Sequence, residues 1–458
     1  MELGKTYELV ITGYDMNGLG VSKKDNVVIF VEKALKGEKV LAEITNLHKK
    51  YAFAKTIKVL ESSNDRMESP CEYYEGCGGC DLLHMKYDIE CMVKEDKVKN
   101  SFKKINNLTD VKFNPIIKND NTLGYRNKIM VPFGKDDDDN VIYGFYEKSS
   151  HEIVSIDKCI ISNDESNKVL EFIRRYLSVM NIKIYNETTN KGLFRSLMIR
   201  NNYKKEMMLV FVTTAYYDFN GLINYLKSDF PLVKSVYLNI NPNKTNVVLS
   251  EEYVHLYGDE YLIEDILGLK FNVSPASFMQ VNHDNAEKLY SEAFRMANLN
   301  RDMNVIDAYC GMGSITLNIA KHVNHVYGIE IVEDAIKNAN KNKELNDINN
   351  ATFICGKCEE EIKKLTNLTN IDVIFFDPPR KGCDTEFLKT VVEMNIPKIV
   401  YISCNIASLC RDINYLLESN YEVIEVTPTD LFSRTSHCEV VCMLVKTKAS
   451  IKDVCKKR

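Results

Sequence analysis

The chain has 458 residues, of which 45% are hydrophobic and 27% are charged. That length exceeds one compact core and predicts two or three domains, and the composition excludes wholesale disorder. The sequence contains no apolar run of about 18 residues and no signal-peptide pattern, so we expect neither a membrane span nor secretion. Fourteen cysteines in such a chain predict a cytoplasmic protein that uses clustered cysteines for metal binding or catalysis. The net charge of −5 still allows an RNA-binding groove.

Residues 1–62 contain short runs rich in Val, Ile and Tyr. Turns at Gly18, Gly20 and Gly37 separate these runs, which predicts several short strands. We expect a small, OB-like β-barrel, an architecture often used to bind oligonucleotides. A purely structural β module fits the same pattern, so this alternative stays open.

Residues 63–262 predict an α+β domain, because strand-like runs recur there around two helical stretches. The first stretch, at about 86–106, is apolar at helical spacing and is expected to pack on the domain that follows. Residues 263–458 alternate between strand and helix patterns. That alternation predicts a Rossmann-like α/β domain whose ligands bind at the carboxyl ends of its strands.

A glycine-rich turn, DAYCGMGSITL, joins a strand to a helix at residues 307–317. Glycines at such a turn let a ligand approach the backbone closely. Glu330 ends the next strand, where a carboxylate suits the two hydroxyls of a ribose. The turn lacks the GxGxxG spacing of dinucleotide sites, so the pair favours S-adenosylmethionine.

The segment FFDPPRKG places Asp377 at the end of another predicted strand. Two prolines stiffen the turn after it and fix the carboxylate beside the cofactor. Enzymes that methylate amino groups carry an aromatic residue after such a turn. Arg380 stands there instead, which argues against that chemistry.

Cys404 ends the hydrophobic strand of ISCN, where catalytic residues of open α/β sheets are expected. We therefore predict that it is a nucleophile rather than packing, and that Cys410 in the next helix is packing. Glu439 begins a late strand and is a candidate base.

These segments together resemble the uridine-5 RNA methyltransferase family over nearly the whole chain. The resemblance rests on GKTYELVITGYDMNGLGV, CEYYEGCGGCDLLHM, GYRNK, SPASFMQVN, DAYCGMG, DPPRKG, ISCN and TSHCE. The first of these looks like the TRAM domain of that family. By motif content the chain is closest to the 23S ribosomal RNA members. The resemblance implies a monomer with a class I S-adenosyl-L-methionine-dependent domain that forms 5-methyluridine in RNA and acts on neither DNA nor membranes.

The resemblance also implies a role for individual residues. Cys404 would add to C6 of a flipped-out uracil, and Glu439 would remove the C5 proton. The implied cofactor pocket consists of Gln280, Tyr309, Glu330 and Asp377. Gln280 and Asp377 also lie near enough to touch the base. The residues expected to contact phosphates are Arg126, Lys128, Arg195 and Arg200.

The family has four cysteine ligands, which match Cys71, Cys77, Cys80 and Cys159. Four thiolates with two glycines between the close pair suit a [4Fe–4S] cluster. Zinc is the alternative metal, and Cys91 is the alternative fourth ligand, although it falls in a helical stretch. Cys355 and Cys358 have metal-like spacing without a partner pair, so we expect no metal there.

The chain departs from the family where an FP dipeptide usually precedes the Thr-x-His-x-Glu pattern. Ser433 and Arg434 follow Phe432 here, so we expect a looser loop before Glu439. Three other functions stay open at this point: a transfer-RNA uridine-5 methyltransferase, a cytosine-5 RNA methyltransferase and a non-catalytic ribosomal assembly factor. The presence of both Cys404 and Glu439 argues against the last two.

Overall fold

The structure of the protein, a computed structural model, describes residues 1–106, 108, 111–148, 150–244, 247–367 and 369–447. Within these residues the chain forms three large sheets, which follow one another along the sequence, and one separate hairpin. No helix in the described ranges is long and apolar enough to cross a membrane.

The N-terminal sheet has six strands. They are β1 (Thr6–Val10), β2 (Gly13–Tyr14), β3 (Gly20–Lys24), β4 (Val27–Glu32), β5 (Lys39–Leu47) and β6 (Tyr51–Glu61). Their order is β1-β5-β6-β4-β3-β2. Ile29 and Val31 of β4 and Ala52 and Ala54 of β6 are fully buried. Because strand side chains alternate, the residues between them point to the outer face.

Helix α1 (Tyr87–Asn106) and the short strand β7 (Lys112–Phe113) come next. Although they precede the central sheet in sequence, they belong to the C-terminal core. Cys91, Val98 and Phe102 of α1 are buried in that core. An early segment of the chain therefore supports the last sheet.

The central sheet is mixed. Its elements are β8 (Lys128–Lys135), β9 (Val141–Tyr146), β10 (Ile153–Ser155), α2 (Asp164–Val179), β11 (Phe194–Asn201), β12 (Met207–Thr213), α3 (Asn220–Asp229), β13 (Val233–Ile240) and β14 (Tyr253–Gly258). The strand order is β10-β9-β8-β11-β12-β13-β14, with only β12 and β13 parallel. Helices α2 and α3 bury their apolar faces in the same core as this sheet. The hairpin of β15 (Leu262–Ile266) and β16 (Leu269–Val273) follows.

The C-terminal sheet alternates with helices, as the sequence predicts. Its elements are α4 (His283–Ala297), β17 (Asn304–Ala308), α5 (Ser314–Ala320), β18 (His325–Glu330), α6 (Glu333–Leu345), β19 (Ala351–Cys355), α7 (Cys358–Thr366), β20 (Val373–Phe376), α8 (Thr385–Glu393), β21 (Lys398–Ser403), α9 (Ile406–Glu418), β22 (Tyr421–Thr429) and β23 (Glu439–Lys446). The strand order is β19-β18-β17-β20-β21-β23-β22-β7. Strands β17 to β21 are parallel, and β23 runs antiparallel to both of its neighbours.

The order of strands reverses direction between β17 and β20. Connections on the two sides of such a point leave opposite faces of the sheet, so a crevice opens at the carboxyl ends of the strands. The crevice is where the sequence places its candidate residues.

Candidate active site and cysteine cavity

The turn after β17 contains three residues with a left-handed backbone, two of them glycines. Tyr309, Gly311 and Gly313 have φ angles of 64°, 54° and 86°. A Cβ atom at Gly313 would lie 2.6 Å from the ring of Phe353, so only glycine fits there. The turn thereby leaves its backbone open towards the crevice.

Glu330 is tied to this turn. Its Oε2 accepts a hydrogen bond from the Gly311 N–H at 3.3 Å, and its Oε1 accepts one from the Val332 N–H at 3.0 Å. Sequence analysis did not single out the two residues that follow it, Ile331 and Val332. They are apolar yet 63% and 54% exposed. An exposed apolar surface beside a carboxylate suits a flat ring joined to a ribose.

Gln280 lies on the other side of the turn. It is nearly buried, and its main-chain carbonyl accepts a hydrogen bond from the Asn127 side chain at 3.1 Å. A small cavity of about 20 Å³ separates Gln280 from Tyr290 of α4 and Ser314 of α5. The structure thus brings Gln280 to the same crevice as the glycine turn.

Cys404 and Glu439 lie next to each other at the sheet edge. Cys404 directly follows β21, and Glu439 begins β23. The two strands are antiparallel neighbours with Ser403 opposite Val440, so the two candidate residues meet at one end of the pair. Asp377 follows β20, the other neighbour of β21, and completes the group.

The surroundings of these three side chains favour neutral forms. Burial raises the pKa of the Cys404 thiol to about 11, and the carboxylates of Glu439 and Asp377 add to the effect. Burial also raises the pKa of Asp377 to about 7. Glu439 is only 2% exposed, and burial followed by the charge of Asp377 raises its pKa well above the usual range. Such shifts are typical of proton-transfer sites.

Glu439 has an unused hydrogen-bonding atom. Its Oε2 is buried and has no partner among the described residues. An unsatisfied buried carboxylate oxygen is costly, so it is expected mainly where a ligand supplies the partner. This oxygen is therefore free to form a hydrogen bond with a bound molecule.

Two further residues interact electrostatically with Cys404, Glu439 or Asp377. The guanidinium of Arg380 opposes the raised pKa values of both Cys404 and Glu439. Tyr290 is buried on α4, and its pKa is raised by burial and then by Asp377. Sequence analysis used Arg380 only to exclude amino methylation and missed Tyr290, because a tyrosine in an amphipathic helix carries no local signal of a distant site.

The expectation of a loose loop before Glu439 is wrong. Ser433 is fully buried and donates a hydrogen bond to Asp430 at 2.5 Å. The Arg434 N–H donates to Glu90 of α1 at 2.7 Å, and its guanidinium donates to Thr122 at 2.9 Å. Polar contacts to earlier parts of the chain replace the rigidity that a proline would supply.

The four cysteines Cys71, Cys77, Cys80 and Cys159 line one cavity of about 440 Å³. Burial raises the pKa of Cys80, and the neighbouring thiols of Cys159, Cys77 and Cys71 raise it further, so the four sulfurs are within electrostatic reach. The Gly79 N–H donates to the Cys77 sulfur at 3.4 Å. Within the described ranges, no group of three or more His, Cys, Asp or Glu residues has the geometry to hold a metal ion.

The four other cysteines considered as packing residues or alternative ligands lie elsewhere. Cys91 of α1 and Cys410 of α9 are both buried in the C-terminal core. Cys355 is exposed at the end of β19, whereas Cys358 is buried at the start of α7. None of the four lines the cysteine cavity.

Two of the four expected phosphate contacts are wrong. Arg195 is buried, forms an ion pair with Glu187 at 3.0 Å and donates to two main-chain carbonyls. Arg200 is buried and donates to the carbonyl of Ser277 at 2.6 Å. Arg126 lines the cysteine cavity. Burial, followed by the charges of Arg200 and Arg126, lowers the pKa of Lys128 to about 8.

The fold and the site together define a methyltransferase with an appended N-terminal β domain, and comparisons with known proteins agree. Residues 86–447 match the family model for tRNA (Uracil-5-)-methyltransferase, and residues 1–57 match the TRAM domain. The chain belongs to the uracil-5 RNA methyltransferase family, whose methyl donor is S-adenosyl-L-methionine and whose substrate is RNA.

Individual relatives cover nearly the full chain. An uncharacterized RNA methyltransferase of Clostridium acetobutylicum is 41% identical over 445 residues, covering 96% of each chain. One from Staphylococcus aureus MSSA476 is 38% identical over 430 residues, covering 93% of this chain and 95% of its own. The structure is similar to Pyrococcus abyssi tRNA (uracil-54, C5)-methyltransferase in complex with S-adenosyl-L-homocysteine. That comparison has a TM-score of 0.77 and 26% identity, covering 96% of this chain and 99% of the other.

Proposed function

We propose that this protein forms 5-methyluridine in 23S ribosomal RNA. The observation that carries the proposal is the meeting of Cys404 and Glu439 at the carboxyl edge of the sheet, beside Asp377. A nucleophile next to a carboxylate with a free oxygen is what uracil C5 chemistry needs. The TRAM domain and the cysteine set favour a ribosomal substrate, since these features mark the 23S members in the resemblance.

The reaction has three steps. The Cys404 thiolate adds to C6 of uracil, and the electron pair of the C5–C6 bond moves to C5 and O4 as an enolate. C5 would then take the electrophilic methyl carbon of S-adenosyl-L-methionine, whose methyl C–S bond breaks so that S-adenosyl-L-homocysteine leaves. Glu439, in its carboxylate form, accepts the proton from C5, the C5–C6 double bond forms again, and the C6–S bond breaks to release the thiolate. Atoms and charge balance, because the only net exchange is a proton for a methyl group.

Each of the proposed cofactor-binding residues would contact a different part of the methyl donor. Glu330, held by the glycine turn, would bind the ribose hydroxyls, with the exposed side chain of Ile331 beside the adenine. Tyr309 would close the pocket at the turn. Gln280, which lines a cavity with Tyr290 and Ser314, and Asp377, which lies near Cys404, would contact both the donor and the uracil.

The target uridine must leave its stack to reach Cys404, which costs a few kcal/mol in RNA. Cys404 is partly exposed at the crevice, whereas Glu439 is buried behind it. The uracil ring would therefore have to enter the crevice with one edge leading. This geometry favours a uridine in a loop or an unpaired segment as the target.

We also propose that Cys71, Cys77, Cys80 and Cys159 hold a [4Fe–4S] cluster. The chemistry of the donor set supports this proposal, since four cysteines line one cavity and a backbone N–H donates to one sulfur. A Cβ atom at Gly78 would lie 2.7 Å from the carbonyl of Tyr146, so the loop packs closely against β9. The cluster would supply a covalent tie between this loop and the segment around Cys159.

A denaturing gel with methyl-labelled donor and a short ribosomal RNA hairpin tests the catalytic pair. Cys404→Ala should lose turnover and form no covalent RNA complex. Glu439→Gln should accumulate an adduct that already carries the label, because the C5 proton cannot leave. Cys355→Ser, which alters an exposed cysteine outside the site, should behave like the unaltered protein.

Two results would contradict the assignment. An unlabelled Glu439→Gln adduct would place this carboxylate before methyl transfer. Turnover by Cys404→Ala would move the nucleophile, with Cys410 the first residue to examine. Mapping of 5-methyluridine in cells lacking the protein decides between ribosomal and transfer RNA, the second candidate favoured by the likeness to the Pyrococcus abyssi enzyme.

A further inference from the structure

The segment between β16 and α4, residues 274–282, carries one of the proposed cofactor residues, Gln280. We call residues 274–282 the donor strap. Ser274 and Ser277 close its first turn, since the main-chain N–H of each donates to the hydroxyl of the other at 3.1 Å. This local turn ends before Gln280. The position of Gln280 therefore depends on contacts with other parts of the chain.

The central sheet supplies such contacts. Arg200 of β11 donates from its Nη2 to the carbonyl of Ser277 at 2.6 Å. Asn127 directly precedes β8; its side chain donates to the carbonyl of Gln280 at 3.1 Å, and its main-chain N–H donates to that of Val281 at 2.8 Å. Strands β8 and β11 are antiparallel neighbours, so the contacts come from the same end of the central sheet. They bracket the short span of the strap that contains Gln280.

The stability of the fold does not explain an arginine at position 200. Arg200 is only 2% exposed, and burial lowers its pKa to about 10, so the guanidinium stays charged at neutral pH. Its Nε has no hydrogen-bond partner among the described residues. A buried cation with an unused donor is costly, and an apolar side chain of similar length would avoid that cost.

Arg195, on the same strand, is buried in a different way. It forms an ion pair with Glu187 at 3.0 Å and donates to the carbonyls of Asn241 and Asn243. All three partners lie in the part of the chain that builds the central sheet. Arg200 instead donates to a segment outside that sheet, the donor strap. The two arginines of β11 therefore have different consequences for the strap.

We propose that Arg200 is a positioning residue for the methyl donor: together with Asn127 it holds the donor strap so that the side chain of Gln280 faces the donor. The inference rests on the proposed function, because it uses the cofactor role assigned there to Gln280. In this role Arg200 touches neither the donor nor the uracil and acts through the carbonyl of Ser277. Its charge strengthens that hydrogen bond. A strap that is already ordered costs less to bind against, so the central sheet raises the affinity for the donor.

Equilibrium dialysis of labelled S-adenosyl-L-methionine, without RNA, tests the proposal. Arg200→Met keeps the length of the side chain but cannot donate, and it should weaken donor binding about tenfold because binding must then order the strap. Asn127→Ala removes the other side-chain contact and should also weaken binding. Arg195→Met is the matched control, since it removes a buried arginine from the same strand and should leave donor binding unchanged.

A double variant distinguishes positioning from a general loss of structure. Gln280→Ala alone should weaken donor binding. Adding Arg200→Met to it should weaken binding little further, because the two substitutions remove the same interaction. Effects that multiply in the double variant would show that Arg200 does not act through Gln280.

Hydrogen exchange gives a second readout that does not use the donor. In the unliganded Arg200→Met protein, the peptide spanning residues 274–282 should exchange faster than in the unaltered protein, while the peptide from α4 should exchange at the same rate. Equal acceleration of both peptides would indicate a loosened domain and contradict a role confined to the strap.

Full donor affinity of Arg200→Met would overturn the inference. Thermal unfolding shows whether that variant folds; if it does not, Asn127→Ala, at a half-buried position, carries the same measurements, and its full affinity would overturn the inference instead. These outcomes are separable from those of the proposed function, because donor binding is measured without RNA. Failure of the unaltered protein to form 5-methyluridine would sink the proposed function and leave the donor-binding result standing.

Discussion

Cys404 combines a position that suits a nucleophile with a protonation state that does not. It sits at a strand end beside Glu439 and Asp377, and burial with these two carboxylates raises its pKa to about 11. The charge of Arg380 opposes the shift without cancelling it. The free enzyme therefore holds a neutral thiol at neutral pH, and thiolate must form as the substrate enters.

This environment predicts the pH dependence of alkylation of the free enzyme. Because the thiolate is the reactive form and the pH lies below the pKa, alkylation of Cys404 by iodoacetamide should rise about tenfold per pH unit between about 7 and 9. Mass spectrometry of the peptide containing Cys404 measures the rate. The peptide containing the exposed Cys355 shows that the reagent stays active. A rate that levels off near neutral pH would contradict the raised pKa.

The sequence alone predicted the candidate site residues that lie at the ends of strands. Cys404 and Glu330 each follow or end a hydrophobic strand, and the carboxyl edge of a parallel sheet brings such positions together. Tyr290 could not be predicted, because its place near Asp377 depends on how α4 packs across the sheet. The burial of Arg195 and Arg200 was missed for a related reason, since each donates to a main-chain carbonyl distant in sequence, that of Asn241 for Arg195 and that of Ser277 for Arg200.

At the level of elements, helix α1 and the loop before Glu439 share a buried charge network. Lys94 of α1 is 1% exposed, and its ammonium donates to Glu90 at 2.8 Å and to Asp430 at 2.6 Å. The main-chain N–H of Arg434 donates to the same Glu90. The carboxylates supply the acceptors that the buried cations need, so the helix fixes the path of the loop.

This network predicts a large effect from one substitution. Lys94→Met should lower the free energy of unfolding by about 3–5 kcal/mol, because it leaves Glu90 and Asp430 buried with too little compensating charge. Lys99→Met, on the same helix, removes an exposed pair with Glu95 and should change it by less than about 0.5 kcal/mol. Urea unfolding of both variants measures the difference. A Lys94→Met protein as stable as Lys99→Met would show that the network does not hold the loop.

The same region shows which features a local sequence pattern predicts and which it does not. A helix at about 86–106 is predictable from apolar spacing, and the structure places it at Tyr87–Asn106. The expected looseness at Ser433 was wrong, because Ser433 is held in part by Asn119, 314 positions away, rather than by a local proline. Contacts between segments more than 300 positions apart leave no trace in a local pattern.

At the scale of the whole molecule, the loop that carries Cys71, Cys77 and Cys80 contacts both the N-terminal sheet and the active-site loop. On one side, the Lys33 ammonium donates to the carbonyl of Tyr74 at 3.0 Å. On the other, the Asp81 N–H donates to the carbonyl of Arg434 at 2.9 Å, and the carboxylate of Asp81 accepts from the Ser436 N–H at 2.9 Å. Asp81 directly follows Cys80. A bond from the Cys80 sulfur to the proposed cluster would therefore help to fix the position of the loop that leads to Glu439.

The proposed cluster therefore predicts linked losses of metal and activity. Anaerobically purified protein should be brown, with iron and sulfide in equal amounts, as [4Fe–4S] ligation requires. Cys80→Ser should lose iron and methylate RNA more slowly, because Asp81 is no longer held in place. Cys355→Ser is the matched control and should keep both properties, since its thiol lies outside the cavity. Stoichiometric zinc without iron would replace the cluster by a zinc site, and an iron-free Cys80→Ser protein with full activity would separate the cysteine cavity from catalysis.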